Sequence, residues 1–263
     1  MGAYYPDDYG PYIGSRIPGG SQVPTRRQKV LDPLLRRIFR FNTNVVPDLP
    51  PGRMLEVGCA SGSFLAQMAS VGWTVSGIEF SPAAAAAARG AGYDVFAGTV
   101  AAAPEPAHAY DLIAGWMVVE HLHDPMNTLG TLARWTRPGG WLAISLPDAG
   151  ALEFRLFKGA GYALQLPTHL YHFTPRTITM LLERSGWRVE HVYHQRVLNN
   201  LMGSIGHKLE DWGAPLALSR MFRSYPQRAG RWALILYPIA WLLAAMGQTG
   251  RMTVLARRDG KGS

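Results

Sequence analysis

A chain of 263 residues, nearly half of them apolar, can bury a sizeable core in one large or two small domains. Its single cysteine, Cys59, excludes an internal disulfide and any multi-cysteine metal centre, and fits a reducing, cytoplasmic compartment. The formal charge of +8 rests on 26 basic residues of which only 4 are lysine; with alanine so abundant, this points to GC-rich coding bias, and no nucleic-acid partner is expected.

Residues 1–24, rich in Tyr, Gly and Pro, have no period and suggest an irregular arm. The opening MGAYYPDDYGPY lacks the basic-then-apolar pattern of a secretory leader. Residues 25–45 place Val30, Leu34, Leu35, Ile38 and Phe39 at helical spacing, with Pro33 suited to a first turn. An N-terminal arm and helix over 1–49 is therefore expected.

From residue 53 the pattern alternates. RMLEV (53–57), WTVSGIE (73–79), YDVFAG (93–98), YDLIAGWMV (110–118) and WLAISLP (141–147) are predicted strands. SFLAQMASVG, SPAAAAAARGAG and DPMNTLGTLARWTRPGG are predicted helices, the last closed by Pro138-Gly139-Gly140. PRTITMLLERSG adds a helix, WRVEHVY a sixth strand and RMTVLAR (251–257) a final one. Such alternation predicts an α/β fold whose largely parallel sheet is covered by helices on both faces. The main domain would span 50–195 and 251–258.

Residues 196–250 are too many for a bare loop in a compact domain and predict a helical insertion: a lid, an acceptor-binding element or a membrane-surface element. Trp232 to Met246 is apolar on all sides but only 15 residues long, with Pro238 inside it, too short to span a bilayer. Arg228, Arg231 and Arg251 flank it, and Trp232, Tyr237 and Trp241 suit a headgroup boundary. Two places can hide it: the interior, or the inner face of a membrane contacted peripherally through 228–251.

The chemistry centres on LEVGCASGSF (55–64), where a strand end, a turn of small residues and a helix start follow one another. Small residues let backbone approach a ligand, and the helix start offers free N–H groups. Glu79, about 20 residues on at the end of the second strand, can accept both ribose hydroxyls. Glu56 sits too near the turn for a pyrophosphate site but suits a cationic amino-acid or sulfonium ligand. The spacing Gly58, Ala60, Gly62 differs from that of dinucleotide sites. Glu120-His121 follows the fourth strand, and His169 and His172 lie after the fifth; each histidine is a candidate catalytic base or acceptor-binding residue. No local motif demands a metal.

LEVGCASGSF, SGIEFSP, AYDLIAGWMVVEHLHDP, RPGGWLAISLPD and PTHLYHFTPRTITMLLERSGW together resemble class I methyltransferases. The similarity is greatest to the subgroup holding ubiquinone-type O-methyltransferases and methyltransferases of glycan and natural-product biosynthesis. It covers roughly residues 50–193, with RMTVLAR as the expected last, antiparallel strand of seven in a doubly wound, Rossmann-like sheet. The resemblance implies S-adenosyl-L-methionine as cofactor. Gly58, Ala60 and Gly62 would pass beneath its methionine part, Glu79 would hold the ribose, and Phe80 and Thr99 would adjoin the adenine. Trp116 and Met117 would line the sulfonium. Ala60 stands where the middle glycine is usual, and Thr99 where many relatives carry Asp. The acceptor would be a small molecule, a glycan or a lipid-linked molecule, methylated on oxygen. A nicotinamide oxidoreductase and a non-catalytic binding protein of the same fold are the alternatives. The absence of Asn-Pro-Pro-Tyr after the fourth strand argues against base-amino DNA methylation.

Overall fold

The structure, a computed structural model, describes residues 40–228 and 230–259. The expected arm and most of the expected first helix lie outside these residues; the stretch 40–45 is not helical.

Seven strands form one sheet in the order β3-β2-β1-β4-β5-β7-β6. They are β1 (Arg53–Val57), β2 (Thr74–Glu79), β3 (Asp94–Ala97), β4 (Tyr110–Trp116), β5 (Thr136–Pro147), β6 (Trp187–His194) and β7 (Arg251–Arg258). All neighbouring pairs are parallel except β5–β7 and β6–β7, so β7 is the one reversed strand.

Alternate strand residues point to opposite faces, and both faces are covered. Leu55, Val57, Ile113, Leu142, Ile144, Leu146, Met252 and Val254 enter one core cluster, with Leu129, Leu132, Ile178 and Leu182 from overlying helices. Met54, Leu112, Ala114, Ala143 and Leu255 enter the other, with Phe64, Leu65, Met68, Ala85 and Ala88. The helices supplying these residues are α1 (Ser63–Ala69), α2 (Pro82–Gly90), α3 (Pro125–Trp135) and α5 (Pro175–Arg184); α4 (Leu152–Phe157) lies between β5 and α5. Ser81, Asp124 and Thr174 each accept a backbone N–H at a helix start, each followed by proline at the first helical position.

The boundary between α3 and β5 differs from the expected one. The helix ends at Trp135, and Pro138-Gly139-Gly140 lies inside β5 as a bulge: Tyr110 pairs with Thr136, but Leu112 pairs with Trp141. A side chain at Gly140 would overlap Thr136 and the Arg137 carbonyl, so the bulge is as tight as a glycine allows.

Between β6 and β7 run five helices: α6 (Asn199–Asp211), α7 (Leu216–Arg223), α8 (Tyr225–Arg228), α9 (Gly230–Ile235) and α10 (Tyr237–Ala245). The apolar run from Trp232 is broken at Leu236, just before Pro238, and is not one helix. Only Tyr237 and Ala240 of α10 are buried; Trp232, Ile235, Ile239, Trp241, Leu242 and Met246 are about half exposed or more. The interior therefore does not hide this segment. Among the described residues, no helix is long and apolar enough to cross a membrane.

Candidate active site

The strand order reverses direction between β1 and β4. In open α/β sheets the carboxyl ends of the strands at that point form the ligand crevice. The loops after β1, β2 and β4 meet there.

After β1 the chain turns through Gly58, Ala60 and Gly62, all in the left-handed region at φ 72°, 46° and 87°. A side chain at Gly58 would overlap Val118 of the loop after β4, so glycine lets two strand ends converge. Ala60 pays the left-handed cost of a Cβ but turns its N–H onto Glu79 Oε2 at 2.8 Å. Glu79 Oε1 accepts the Ser81 N–H at 2.7 Å. Glu79 thereby joins two of the three loops, and each of its oxygens keeps a second acceptor position.

Glu56 is buried beside it. Burial, then the neighbouring Glu79 charge, pushes the Glu56 carboxyl up to about 8, against a hydrogen bond at the Leu65 backbone. Burial raises Glu79 as well. Among the described residues, Glu56 Oε2 has no hydrogen-bond partner, and neither has the buried Trp116 Nε1–H. An orphaned buried acceptor is costly and asks for a donor. A cationic amino acid supplies one, so these residues fit the methionine end of S-adenosylmethionine. Trp116 packs edge-on to Phe64 at 5.1 Å. Met117 holds φ 57°, a strained value for a side-chain-bearing residue and one that turns the chain sharply off β4. Phe80 is 47% exposed at the end of β2, and Thr99 is exposed beyond β3, both at the crevice rim.

The histidines gather on the other side of the crevice. His121 and His169 pack edge-to-face with centroids 4.6 Å apart, and His172 lies 6.3 Å from His169. His121 Nδ1 donates to the Thr168 carbonyl at 2.9 Å, and His169 Nδ1 donates to the Ala163 carbonyl at 2.8 Å. Each bond leaves the lone pair of the neutral ring on Nε2. His172 is held the other way round, through Nε2 to the Leu164 carbonyl at 3.1 Å. Burial lowers the His121 imidazole, and burial with the neighbouring His121 pushes His169 down to about 4. Both are neutral at physiological pH.

Glu120 completes the group. It is fully buried, neither carboxylate oxygen has a hydrogen-bond partner among the described residues, and burial pushes it up to about 8. One donor atom from each of Glu120, His121 and His169 falls within 4.8 Å of the others, a set that could hold a metal ion although no local motif encodes it. The Glu120 carbonyl accepts the N–H groups of Leu170 and Tyr171, tying the histidine loop to the end of β4. Sequence reasoning missed two members of this wall, Arg251 and Glu153. The Arg251 guanidinium faces Tyr162, Glu120 and Glu153, and burial pushes the Glu153 carboxyl up to about 7. The only signal for Glu153 was an acid in the otherwise apolar ALEF.

The methyltransferase domain family matches residues 25–192. The ubiquinone biosynthesis O-methyltransferase of Thiobacillus denitrificans is 31% identical over 152 residues, 52% of this chain and 65% of that protein. Its Burkholderia thailandensis counterpart is 29% identical over 160 residues, 52% and 68% respectively. The chain thus spans about two thirds of these curated relatives. Among solved structures, an S-adenosylmethionine-dependent methyltransferase from Mesorhizobium loti superposes with a TM-score of 0.53 at 19% identity, covering 86% of this chain and 96% of that one. Phosphoethanolamine N-methyltransferase 2 of Haemonchus contortus, solved with S-adenosyl-L-methionine, gives 0.52 at 16% identity, covering 87% and 52%. These two likenesses concern the fold. With more than half its length matched by the family, the chain belongs to the methyltransferase domain family and is a class I S-adenosylmethionine-dependent methyltransferase.

Proposed function

We propose that this enzyme methylates a hydroxyl oxygen of a small-molecule, glycan or lipid-linked acceptor, with His121 as proton acceptor. The observation that carries it is the pair of neutral, carbonyl-tethered imidazoles, His121 and His169, beside the crevice. The relatives named as O-methyltransferases support the choice of oxygen.

S-adenosylmethionine, when bound, supplies a methyl group already activated on a sulfonium, so the protein's task is alignment and proton removal. Glu56 would accept from the cationic methionine end, Glu79 from the ribose, and Phe80 would cover the adenine. Trp116 and Phe64 wall the site from water. His121, tethered through Nδ1, presents Nε2 to the acceptor hydroxyl. His169, whose imidazole burial pushes down to about 4, props His121 edge-on. His172 orders the loop through Leu164.

The insertion gives a lipid-linked acceptor its context. The exposed Trp232, Ile235, Ile239, Trp241 and Leu242, with Arg228 beside them, suit the headgroup layer of an anionic membrane.

Methyl-labelled cofactor and fractionated lysate test the acceptor class by showing whether label enters lipid, glycan or soluble fractions. His121→Gln should bind cofactor normally and transfer about 10²–10⁴-fold more slowly, losing the rising limb of the pH profile. If the Gln variants of His121, His169 and His172 all keep full turnover, the histidine-base assignment fails. Loss of turnover in a chelator, restored by a divalent cation, would also overturn it by moving the proton to a metal-bound group.

A further inference from the structure

The insertion carries a second recess, apart from the crevice at the strand ends. It is an open groove of about 890 Å³ lined by Tyr162, His207, Arg220, Arg223, Gln227 and Arg228, with Met221 and Ser224. Three guanidiniums on α7 and α8 converge on it. Only one is neutralised: Arg223 pairs with Glu210 of α6. Arg220 and Arg228 have no ion-pair partner among the described residues. Guanidiniums clustered along one groove raise the local positive potential and so favour an anion among them. Guanidinium forks match the oxygens of a phosphate group.

The walls of the groove are built by close packing. A side chain at Gly203 would overlap the Tyr162 ring, and one at Gly206 would overlap the backbone and Cγ of Arg223. The sequence Gly203-Ser204-Ile205-Gly206 thus lets the Tyr162 turn and α7 both settle on α6. Ser204 Oγ accepts the Tyr162 N–H at 2.8 Å, and Tyr162 and His207 rings lie 5.8 Å apart.

The Tyr162 turn is also a wall of the methyl-transfer site. Its next two carbonyls, of Ala163 and Leu164, hold His169 and His172, and Tyr162 faces Arg251 beside Glu120. One short turn therefore separates the histidine cluster from the arginines.

We propose that this groove is a phosphate-binding subsite: the methyl acceptor carries its phosphate, or the headgroup phosphate of the bilayer that presents it, among Arg220, Arg223 and Arg228. The subsite rests on the methyl-transfer function proposed above and names the chemical class of the acceptor's anchor.

Two probes separate the sources: inorganic pyrophosphate, followed by calorimetry, and vesicles of equal parts phosphatidylcholine and phosphatidylglycerol, followed by sedimentation. Each is run on the full chain, on the double variant Arg220→Gln/Arg228→Gln, and on Glu210→Gln. The phosphate subsite predicts binding of at least one probe, weakened about tenfold or more in the double variant, and strengthened in Glu210→Gln because Arg223 is released. Pyrophosphate binding without sedimentation assigns the phosphate to a soluble acceptor; arginine-dependent sedimentation alone assigns it to lipid headgroups. Binding of neither probe, or affinity unchanged in the double variant, overturns the subsite. Cofactor affinity is measured in parallel, so that failure of the methyl-transfer function, with no cofactor bound, is told apart from failure of the groove.

Discussion

Glu56 shows how one residue couples cofactor to pH. Its folded pKa of about 8 lies well above the ordinary 4.5, so without cofactor it is mostly protonated near neutrality. A cation arriving beside it restores the carboxylate and expels the proton. Cofactor binding should therefore release protons, and affinity should rise from about pH 6 to about pH 8. Calorimetry in buffers of differing ionisation enthalpy checks this; identical heats in all buffers would refute it. The local structure of the crevice loops was legible residue by residue, because strand, small turn, helix and distal acid follow one another in fixed order. The acceptor side was only half legible. Glu120, His121, His169 and His172 stood out as polar residues near strand ends, yet nothing local foretold that Ala163, Thr168 and Leu164 carbonyls would choose their tautomers. Arg251, which flanks the apolar run in sequence, donates to Asn200 Oδ1 and feels the Glu120 and Glu153 charges, a placement that no local pattern announces.

The strands and helices of the central domain follow from period and capping. Ser81-Pro82, Asp124-Pro125 and Thr174-Pro175 each announce a helix, and each caps one. The misplaced boundary after Trp135 has a simple cause: Pro-Gly-Gly reads as a helix stop and here serves a strand bulge one step later. The apolar run left two hiding places open, the interior or a membrane surface; it divides near Pro238 into α9 and α10, and most of its large side chains face outward. Because Trp232 and Trp241 are 62% and 48% exposed, replacing both by Glu should leave the fold and cofactor affinity intact while abolishing sedimentation with anionic vesicles. A double variant that unfolds, or one that still sediments like the parent, would count against membrane docking by these helices.

At the scale of the whole fold, buried acids shape the pH response among the described residues. Glu56 and Glu120 at about 8, Glu153 at about 7 and Glu79 shifted the same way all have folded values above 4.5. The stability that Glu56, Glu120 and Glu153 contribute is complete below about pH 4.5 and is lost as pH rises through about 7–8. His169 acts oppositely: at about 4 against the usual 6.5, its contribution is present above 6.5 and lost as pH falls. The cofactor-free protein should thus melt at a lower temperature at about pH 8.5 than at about pH 6.5, by scanning calorimetry; a midpoint that rises over this window would contradict the burial of these acids. The proposed cofactor site turns on Glu79, which closes the loops after β1 and β2 and, in the proposed function, would accept the ribose hydroxyls on its remaining acceptor positions. Titration of S-adenosylmethionine into the parent and into Glu79→Ala is the direct test of that joint role. Loss of charge-assisted bonds worth roughly 1.5–3 kcal/mol predicts at least about a tenfold fall in affinity with the fold retained. Equal affinity in the two proteins would contradict the placement of the cofactor at this crevice.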